Sequence, residues 1–322
     1  MQITRNRILG VIGVVLLIGH LLSVWWSIEP SPIEPETYAG SSKHVVGYAT
    51  TSSIINTMET LLDKPGGWLS NDVMPPSVLM DNMPAFEFGA LEQTRDLALI
   101  MRKEFSRSQS QSTADSDLSE AHSKLNIDHT SWLVPSSESQ YREAIKLFKL
   151  YRAKISDTEN SDAQFYARAD NLNEWLKEVQ KRLGSISQRL SASVGQERIN
   201  TDLAGETAAR QSTPGYAIAE VKTSWWEIDD VFYESRGSAW ALLNFMKAVE
   251  VDFADVLQDK NAEVSLKQII RELEATQQTV WSPMVLNGSG FGLVANHSLV
   301  MANYISRANA AVIDLTNLLS QG

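Results

Sequence analysis

Hydrophobic positions divide the chain into one unbroken apolar run and a long region where they recur at helical spacing. The run Ile8–Ile28 contains no charged residue. A helix of this length, rising about 1.5 Å per residue, would cross the roughly 30 Å core of a bilayer. Arg5 and Arg7 precede the run, and Trp25 and Trp26 lie near its end, where tryptophan favours the headgroup layer. The pattern predicts a transmembrane anchor over residues 8–28.

The flanking charges predict the orientation of this anchor. Positive residues beside a membrane segment stay in the cytoplasm, so residues 1–7 are expected there and the rest of the chain outside it. A cleaved signal peptide is the alternative, but its apolar region would span about 7–15 residues and end near a small-residue cleavage site. Here the run is longer, and Glu29 and Pro30 follow it directly. These features favour a single-pass anchor.

Beyond the anchor the pattern is helical. Residues 29–42 are rich in Pro, Glu and Ser, which predicts an extended linker. From residue 43 to 322, apolar residues recur every three or four positions, and no run of alternating residues indicates a strand. The chain is therefore predicted to be all-α, with one N-terminal transmembrane helix followed by a multi-helix bundle. The predicted helices span 44–64, 86–105, 117–129, 137–155, 161–194, 217–253, 262–281 and 293–319.

Several local features qualify this bundle. Gly237 is predicted to divide the helix over 217–253, and the polar stretch near 195–215 is a possible subdomain boundary. Residues 68–84 contain prolines and should be irregular, with Val78 and Leu79 packed against the body.

The aromatic band from Trp225 to Trp240, which includes Trp226, is expected to belong to the core, with a ligand cleft as the alternative.

Composition narrows the functional classes. The net charge is −11, which disfavours nucleic-acid binding because that requires basic side chains to displace phosphate counterions. The chain has no cysteine, which excludes disulfides, thiolate nucleophiles and Cys-ligated zinc or iron–sulfur centres. No HExxH motif occurs, and no glutamate lies three positions before a histidine. The sequence therefore predicts neither a metal site nor a cofactor.

The densest group of ionisable side chains is acidic. Asp229, Asp230 and Glu234 lie close together in one predicted helix, and Arg236 follows. Asp230 and Glu234 are one turn apart and share a face, so they can perform acid–base chemistry or hold a hard cation. Ion pairing with arginines also explains such clusters, and Arg236 is the predicted partner of Asp230. Asp81 is the further acidic candidate for a cleft.

A glycine-rich segment precedes the last predicted helix. It contains Asn287, Gly288 and Gly290, and His297 lies just beyond it. A glycine loop before a helix N-terminus can bind an anion, but no strand precedes this one and no Lys-Ser/Thr follows. A tight turn with positive φ at the glycines is therefore the predicted role. His297 is expected to donate a hydrogen bond at the helix start.

Seven short stretches are distributed, in order, along most of the length of the region after the linker: Lys64–Asp72, Asp81–Pro84, Ser106–Ser112, Arg168–Leu172, Ile228–Gly237, Asn287–Gly292 and Asn296–Leu299. Together they resemble an uncharacterised bacterial family, catalogued as domain of unknown function family 2333. The resemblance implies a single-pass bacterial envelope protein, so the predicted anchor would lie in the inner membrane and the rest of the chain in the periplasm. It carries over no catalytic residues.

The sequence thus predicts a membrane-anchored, non-catalytic binding or scaffolding protein of the bacterial envelope. Its expected partners are the lipid bilayer, through the N-terminal helix, and an envelope protein, but no nucleic acid. The alternative is an envelope enzyme or a small-ligand-binding domain that uses an acidic cleft around Asp229 and Asp230. That cleft would collect Asp81, Glu234, Arg236, Asn287, Gly288, Gly290 and His297.

Overall fold

The computed structural model describes residues 2–34, 45–108, 113–157, 163–199, 218–282, 284–290 and 292–321. Within them lie ten α-helices: α1 Gln2–Trp26, α2 Tyr48–Asp63, α3 Asn82–Ile100, α4 Ser116–Leu125, α5 Ser137–Ser156, α6 Ala169–Ser191, α7 Ile228–Asp252, α8 Ala254–Asp259, α9 Glu263–Thr276 and α10 His297–Ser320. A π-helical turn, Met101–Phe105, extends α3. Two short antiparallel strands, β1 Gln196–Ile199 and β2 Ile218–Val221, pair with Gln196 opposite Val221.

The predicted all-α fold class is confirmed, and each predicted helix has a counterpart. The prediction that Gly237 divides a helix is wrong, because α7 continues through it. The strands β1 and β2 were not expected from the sequence. Residues 200–217, which contain most of the possible subdomain boundary, lie outside the described residues.

The centre of the domain is the pair α3 and α7, which run in the same direction in close contact. A Cβ atom on Gly237 would overlap the carbonyl oxygen of Phe86, and one on Gly89 would overlap the carbonyl oxygen of Glu234. The hydroxyl of Ser238 donates to the Gly89 carbonyl at 2.9 Å. Both glycines are therefore required by the approach of two backbones, and neither breaks its helix.

The other helices cover the two sides of this pair. α2, α4 and α5 lie on one side, and α6, α9 and α10 lie on the other. Large side chains fill the core between them: Trp68, Phe86, Tyr141, Phe148, Trp175, Trp240 and Phe245. The result is a bundle with a single hydrophobic core.

α1 projects from one end of the bundle. In the described part of the chain it is the one helix long and apolar enough to cross a membrane, over Asn6–Trp26, and none of its apolar window is buried. Its last turn contacts the domain, since a Cβ atom on Gly66 would lie 2.8 Å from the Trp26 ring. We call this end of the domain the anchor end; it comprises residues 64–81, 126–136, 222–227, 277–282, 284–290 and 292–296.

The segment after α1, over residues 28–34, has no regular secondary structure, and it is bound to α7. Glu29 accepts a hydrogen bond from Nε of the buried Arg236 at 2.5 Å. The same guanidinium donates to the carbonyl oxygens of Thr276 and Gln278, each at 2.8 Å. One arginine thus joins the exit of α1, the middle of α7 and the end of α9.

The next residues continue along α7. The Trp240 indole donates to the Ser31 carbonyl at 3.0 Å, and the Ile33 amide donates to Asn244 Oδ1 at 2.9 Å. The contacts advance along α7 as the segment advances, so the two run in parallel, away from α1. Residues 35–42 of the predicted linker lie outside the described residues.

The opposite end of the bundle, the far end, is formed by the start of α2 and the end of α7. The Thr50 amide donates to Asp252 Oδ2 at 2.6 Å. The rings of Phe105 and Phe253 are 5.3 Å apart. α9 begins near this end, so Val264 in its first turn lies far from α1.

Candidate functional site

An open cleft lies at the anchor end, between the N-terminal turns of α3 and α7. Its volume is about 570 Å³, and its polar lining includes Asp81, His129, Glu227, Asp230 and Glu234. Asp81 precedes α3 and accepts a hydrogen bond from the amide of Asn82 at 2.9 Å. The structure therefore brings together three of the predicted site residues, Asp81, Asp230 and Glu234.

Asp230 is the most perturbed carboxylate in the cleft. Burial raises its pKa to about 6, and repulsion from Asp81, Asp229, Glu227 and Glu234 adds to the effect. Its Oδ1 atom is buried and has no hydrogen-bond partner. A carboxylate in this state exchanges a proton near neutral pH and attracts a cation or a hydrogen-bond donor.

The predicted pairing of Asp230 with Arg236 is wrong. The two residues are six positions apart in α7, so at about 100° per residue they lie about 120° apart around the helix. Arg236 binds Glu29 instead. The other nearby arginine, Arg189 of α6, pairs with Glu234 through both of its terminal nitrogens, at 2.6 and 2.5 Å.

Arg236 and His297 line a different cavity, so the predicted site is split. This second groove has a volume of about 330 Å³ and lies between α7, the end of α9 and the start of α10. Its walls are mainly apolar and include Phe232, Trp281 and Met301. It carries none of the cleft's carboxylates.

His297 closes the loop before α10. Its amide donates to the Leu286 carbonyl at 2.8 Å, and its Nδ1 accepts from the Leu286 amide at 3.1 Å. The imidazole thus accepts a hydrogen bond where a donor was expected. Asn287, from the same loop, donates to the Ser193 carbonyl at 3.1 Å, which ties the loop to the end of α6.

The predicted positive φ angles in this loop are wrong. Among the described glycines, φ is positive at Gly47, Gly66, Gly67 and Gly195, but not in the loop before α10.

Gly288 is required for another reason, since a Cβ atom there would overlap the Val294 carbonyl oxygen. Gly290 has ordinary space around it. The segment is therefore a closed loop rather than a nest of amides for an anion.

Sequence reasoning missed His129 as a cleft residue. It lies in the loop between α4 and α5, and its carbonyl accepts a hydrogen bond from the Trp68 indole at 3.0 Å. Its ring lies 4.6 Å from that of Phe88. Burial lowers its pKa, opposed by the adjacent Asp128, and so favours the neutral imidazole. No sequence spacing links it to α7.

Glu87 was also missed. It lies on α3 beneath the cleft, is fully buried and pairs with buried Lys64 at 2.8 Å. It also accepts hydrogen bonds from the amides of Leu69 and Ser70, each at 2.9 Å. Burial raises its pKa, while Lys64 and these donors lower it. Because the Lys64 ammonium and both amides are hydrogen-bond donors, they favour the ionised form of the Glu87 carboxylate. These bonds hold the turn after α2 against α3.

The chemistry available in the cleft is that of carboxylates and one imidazole. In the described ranges, no group of three or more His, Asp or Glu side chains is arranged to hold a metal ion. The cleft offers acceptors to a cationic or hydrogen-bond-donating group, and an acid–base pair if Asp230 and His129 act together.

Asp230→Asn is expected to stabilise the protein at neutral pH. The pKa of Asp230 in the folded protein, about 6, exceeds its ordinary value of 3.8. Ionisation of Asp230 therefore lowers the free energy of unfolding, with no effect below about pH 4 and the full effect above pH 6. After discounting for solvent screening, the gain at pH 7.5 should be about 1 kcal/mol, or roughly 2–4 °C in melting temperature. Thermal denaturation at pH 7.5 and pH 4 measures it.

The matched control is Asp255→Asn, the same change at an exposed first-turn position of α8. It should shift the melting temperature by no more than about 1 °C at either pH. A lower melting temperature for Asp230→Asn at pH 7.5 would reveal a stabilising partner for this carboxylate.

Comparisons with known proteins agree with the resemblance seen in the sequence. No curated protein and no solved structure matches the chain significantly. The bacterial family described as "uncharacterized protein conserved in bacteria", DUF2333, matches over residues 2–322. The chain belongs to this family.

Proposed function

We propose that this protein is a single-pass protein of the bacterial inner membrane whose helical domain binds an envelope partner without catalysing a reaction. The observation that carries the proposal is the docking of the chain that leaves α1. Trp26 packs against the core, and Glu29 is the ionic partner of buried Arg236. Cleavage at a site beyond Glu29 would leave that arginine without its carboxylate, which is costly inside a protein. This supports a retained anchor.

The orientation follows from Arg5 and Arg7, which hold the N-terminus in the cytoplasm and place the domain in the periplasm. The acidic cleft is the proposed partner site. Its carboxylates converge on an open space, and Arg189 and Arg236 are occupied by Glu234 and Glu29. A lysine or arginine side chain of an envelope protein would complement this charge.

The second candidate is a small-ligand-binding or enzymatic cleft. It is favoured by the raised pKa of Asp230, because a carboxyl that titrates near neutral pH is suited to general acid–base work. Neutral His129 lies in the same cleft. The partner test below separates this candidate from the first.

Anchoring and orientation are tested together on the full chain. A reporter active only in the periplasm, fused after Gly322, should be active, and the protein should stay in the membrane after an alkaline carbonate wash. Intact mass should include residues 1–28. The control is Leu16→Arg, which places a charge in the apolar run and should weaken membrane retention. Activity of a cytoplasm-only reporter would overturn the orientation, and a processed N-terminus would overturn the anchor.

The partner site is tested by crosslinking in intact cells followed by purification. Wild type and Asp255→Asn should capture the same envelope protein, and Asp230→Asn, which should fold well, should capture about tenfold less. Equal capture by all three variants would move the partner site away from the cleft. Loss of a bound small molecule in Asp230→Asn, with protein capture unchanged, would favour the second candidate.

A further inference from the structure

The anchor end exposes large apolar side chains in its loops. Trp225, Trp226 and Trp281 are 68%, 79% and 92% exposed, Leu79 is 79% exposed, and Val134 and Leu293 are fully exposed. We call these six residues the apolar rim. All of them lie outside the α-helices of the bundle, so none of them belongs to the apolar stripe of a helix.

Two rim residues, Leu79 and Val134, lie in segments connected to the turn after α2, and this turn contacts the end of α1. Gly66, in this turn, adjoins Trp26. Leu79 ends the short helical turn that leads into α3. Val134 belongs to the loop before α5, which is attached to the same turn where Asn71 Nδ2 donates to the Ser131 carbonyl at 3.1 Å.

The three tryptophans of the rim are placed by α7 and α9. Trp225 precedes Arg236 by eleven positions in the direction of α1, and eight of these, about 12 Å, are α-helical. Trp226 follows it, and their rings are 5.0 Å apart. Trp281 comes shortly after Gln278, whose carbonyl is bound by Arg236.

Leu293 lies in the closed loop before α10. The loop is fixed to the end of α6 by Asn287, and His297 at its close lies near Phe232 in the first turns of α7, with ring centroids 6.4 Å apart. All six rim residues therefore belong to the end of the domain from which α1 leaves.

We infer that the anchor end inserts the apolar rim into the interfacial layer of the bilayer that holds α1. The inference rests on the proposed anchor. A membrane crossed by α1 must have its surface near Trp25 and Trp26, which is where the rim begins. Tryptophan prefers this layer, and an apolar patch of this extent in water would promote association. At the far end, Val264 is an exposed apolar side chain in the first turn of α9, away from α1.

The insertion should not require anionic lipid. Asp81, Glu227 and Asp229 lie at the same end of the domain and would be repelled by a negative surface. Apolar contact therefore has to supply the attraction, and it should persist at high salt and in phosphatidylcholine alone. This separates rim insertion from electrostatic adsorption.

The absence of cysteine from the chain makes the test direct. Leu293→Cys and Val134→Cys, each made in the full-length protein and labelled with an environment-sensitive fluorophore, are reconstituted in phosphatidylcholine vesicles. Val264→Cys is the matched control, an exposed apolar site at the far end. Leu16→Cys is the reference for the bilayer core. Spin-labelled lipids carrying the nitroxide near the headgroup serve as quenchers.

Labels at Leu293 and Val134 should emit at shorter wavelength than the label at Val264 and be quenched several-fold more strongly. Quenching should be unchanged in 1 M salt. Rim labels that behave like Val264, with Leu16 in the bilayer core, would overturn the inference and leave the anchor standing. A label at Leu16 that remains in water would overturn the anchor itself.

Discussion

Gly237→Ala is expected to destabilise the domain by about 4 kcal/mol or more. The new Cβ would overlap the Phe86 carbonyl oxygen, which belongs to the backbone of α3 and has no rotamer to change. Relief requires α3 and α7 to separate, which loosens the centre of the core. Circular dichroism during thermal denaturation should show a melting temperature lower by about 10 °C or more, or no cooperative transition.

Gly184→Ala is the control for this prediction. Gly184 also lies within a helix, α6, but the nearest atom to its added Cβ would be a side-chain nitrogen of Asn309 at 3.9 Å. Alanine is the better helix former, so this variant should be neutral or more stable by up to about 1 kcal/mol. A Gly237→Ala protein that melts within 2 °C of wild type would show that the two helices do not pack as closely as described.

Glu87→Gln should have the next largest effect, a loss of about 3–5 kcal/mol. The substitution preserves shape but leaves the ammonium group of Lys64 buried without its counter-charge. It also turns an amide group toward the donors of Leu69 and Ser70. The turn after α2 should then detach from α3. Denaturant unfolding measures the loss, and earlier proteolysis within residues 64–81 would locate it.

The double variant Lys64→Met/Glu87→Gln separates charge burial from packing. Because it removes both charges, it should be more stable than Glu87→Gln alone, by about 1–3 kcal/mol. A double variant that is less stable than the single one would mean that Lys64 stabilises the turn through its contact with the Gly67 carbonyl, at 2.6 Å, rather than through Glu87.

The helices could be predicted because each buries one stripe, and a stripe repeats every three or four residues. α6 is the clearest case, with Leu172, Leu176, Val179, Leu183 and Ile186 all buried. The role of Gly237 was predicted wrongly because a glycine inside a helix can either break the helix or allow a neighbouring backbone to approach closely. The neighbouring backbone that decides between them comes from a distant part of the sequence.

The candidate site was predicted in part. Asp230 and Glu234 are neighbours on one helix, so their shared face follows from helix geometry alone. Asp81 and His129 reach the cleft through the packing of α3 and of the loop before α5, which no local pattern encodes. Arg236 was assigned to Asp230 by closeness in sequence, whereas the helix turns it toward the segment that follows α1.

Trp225, Trp226, Val78 and Leu79 were expected in the core and are exposed. Apolar composition indicates that a side chain is stable outside water, but it does not distinguish a protein interior from a bilayer. If α1 spans a membrane, as proposed, both destinations exist for this protein. Within a helix, the spacing of apolar residues distinguishes a stripe that faces the protein interior from other apolar positions. These four residues lie outside the α-helices, where no such spacing applies.

The docked segment over residues 29–34 also determines how a partner reaches the domain. A free tether of fourteen residues would let the domain move up to about 50 Å from the end of α1. If α1 spans a membrane, as proposed, the docked segment holds the cleft at one height above the lipid. A partner diffusing in three dimensions meets such a fixed opening rarely. A partner confined to the same membrane searches a surface, at a much higher effective concentration. This geometry favours ligands that are themselves attached to the membrane.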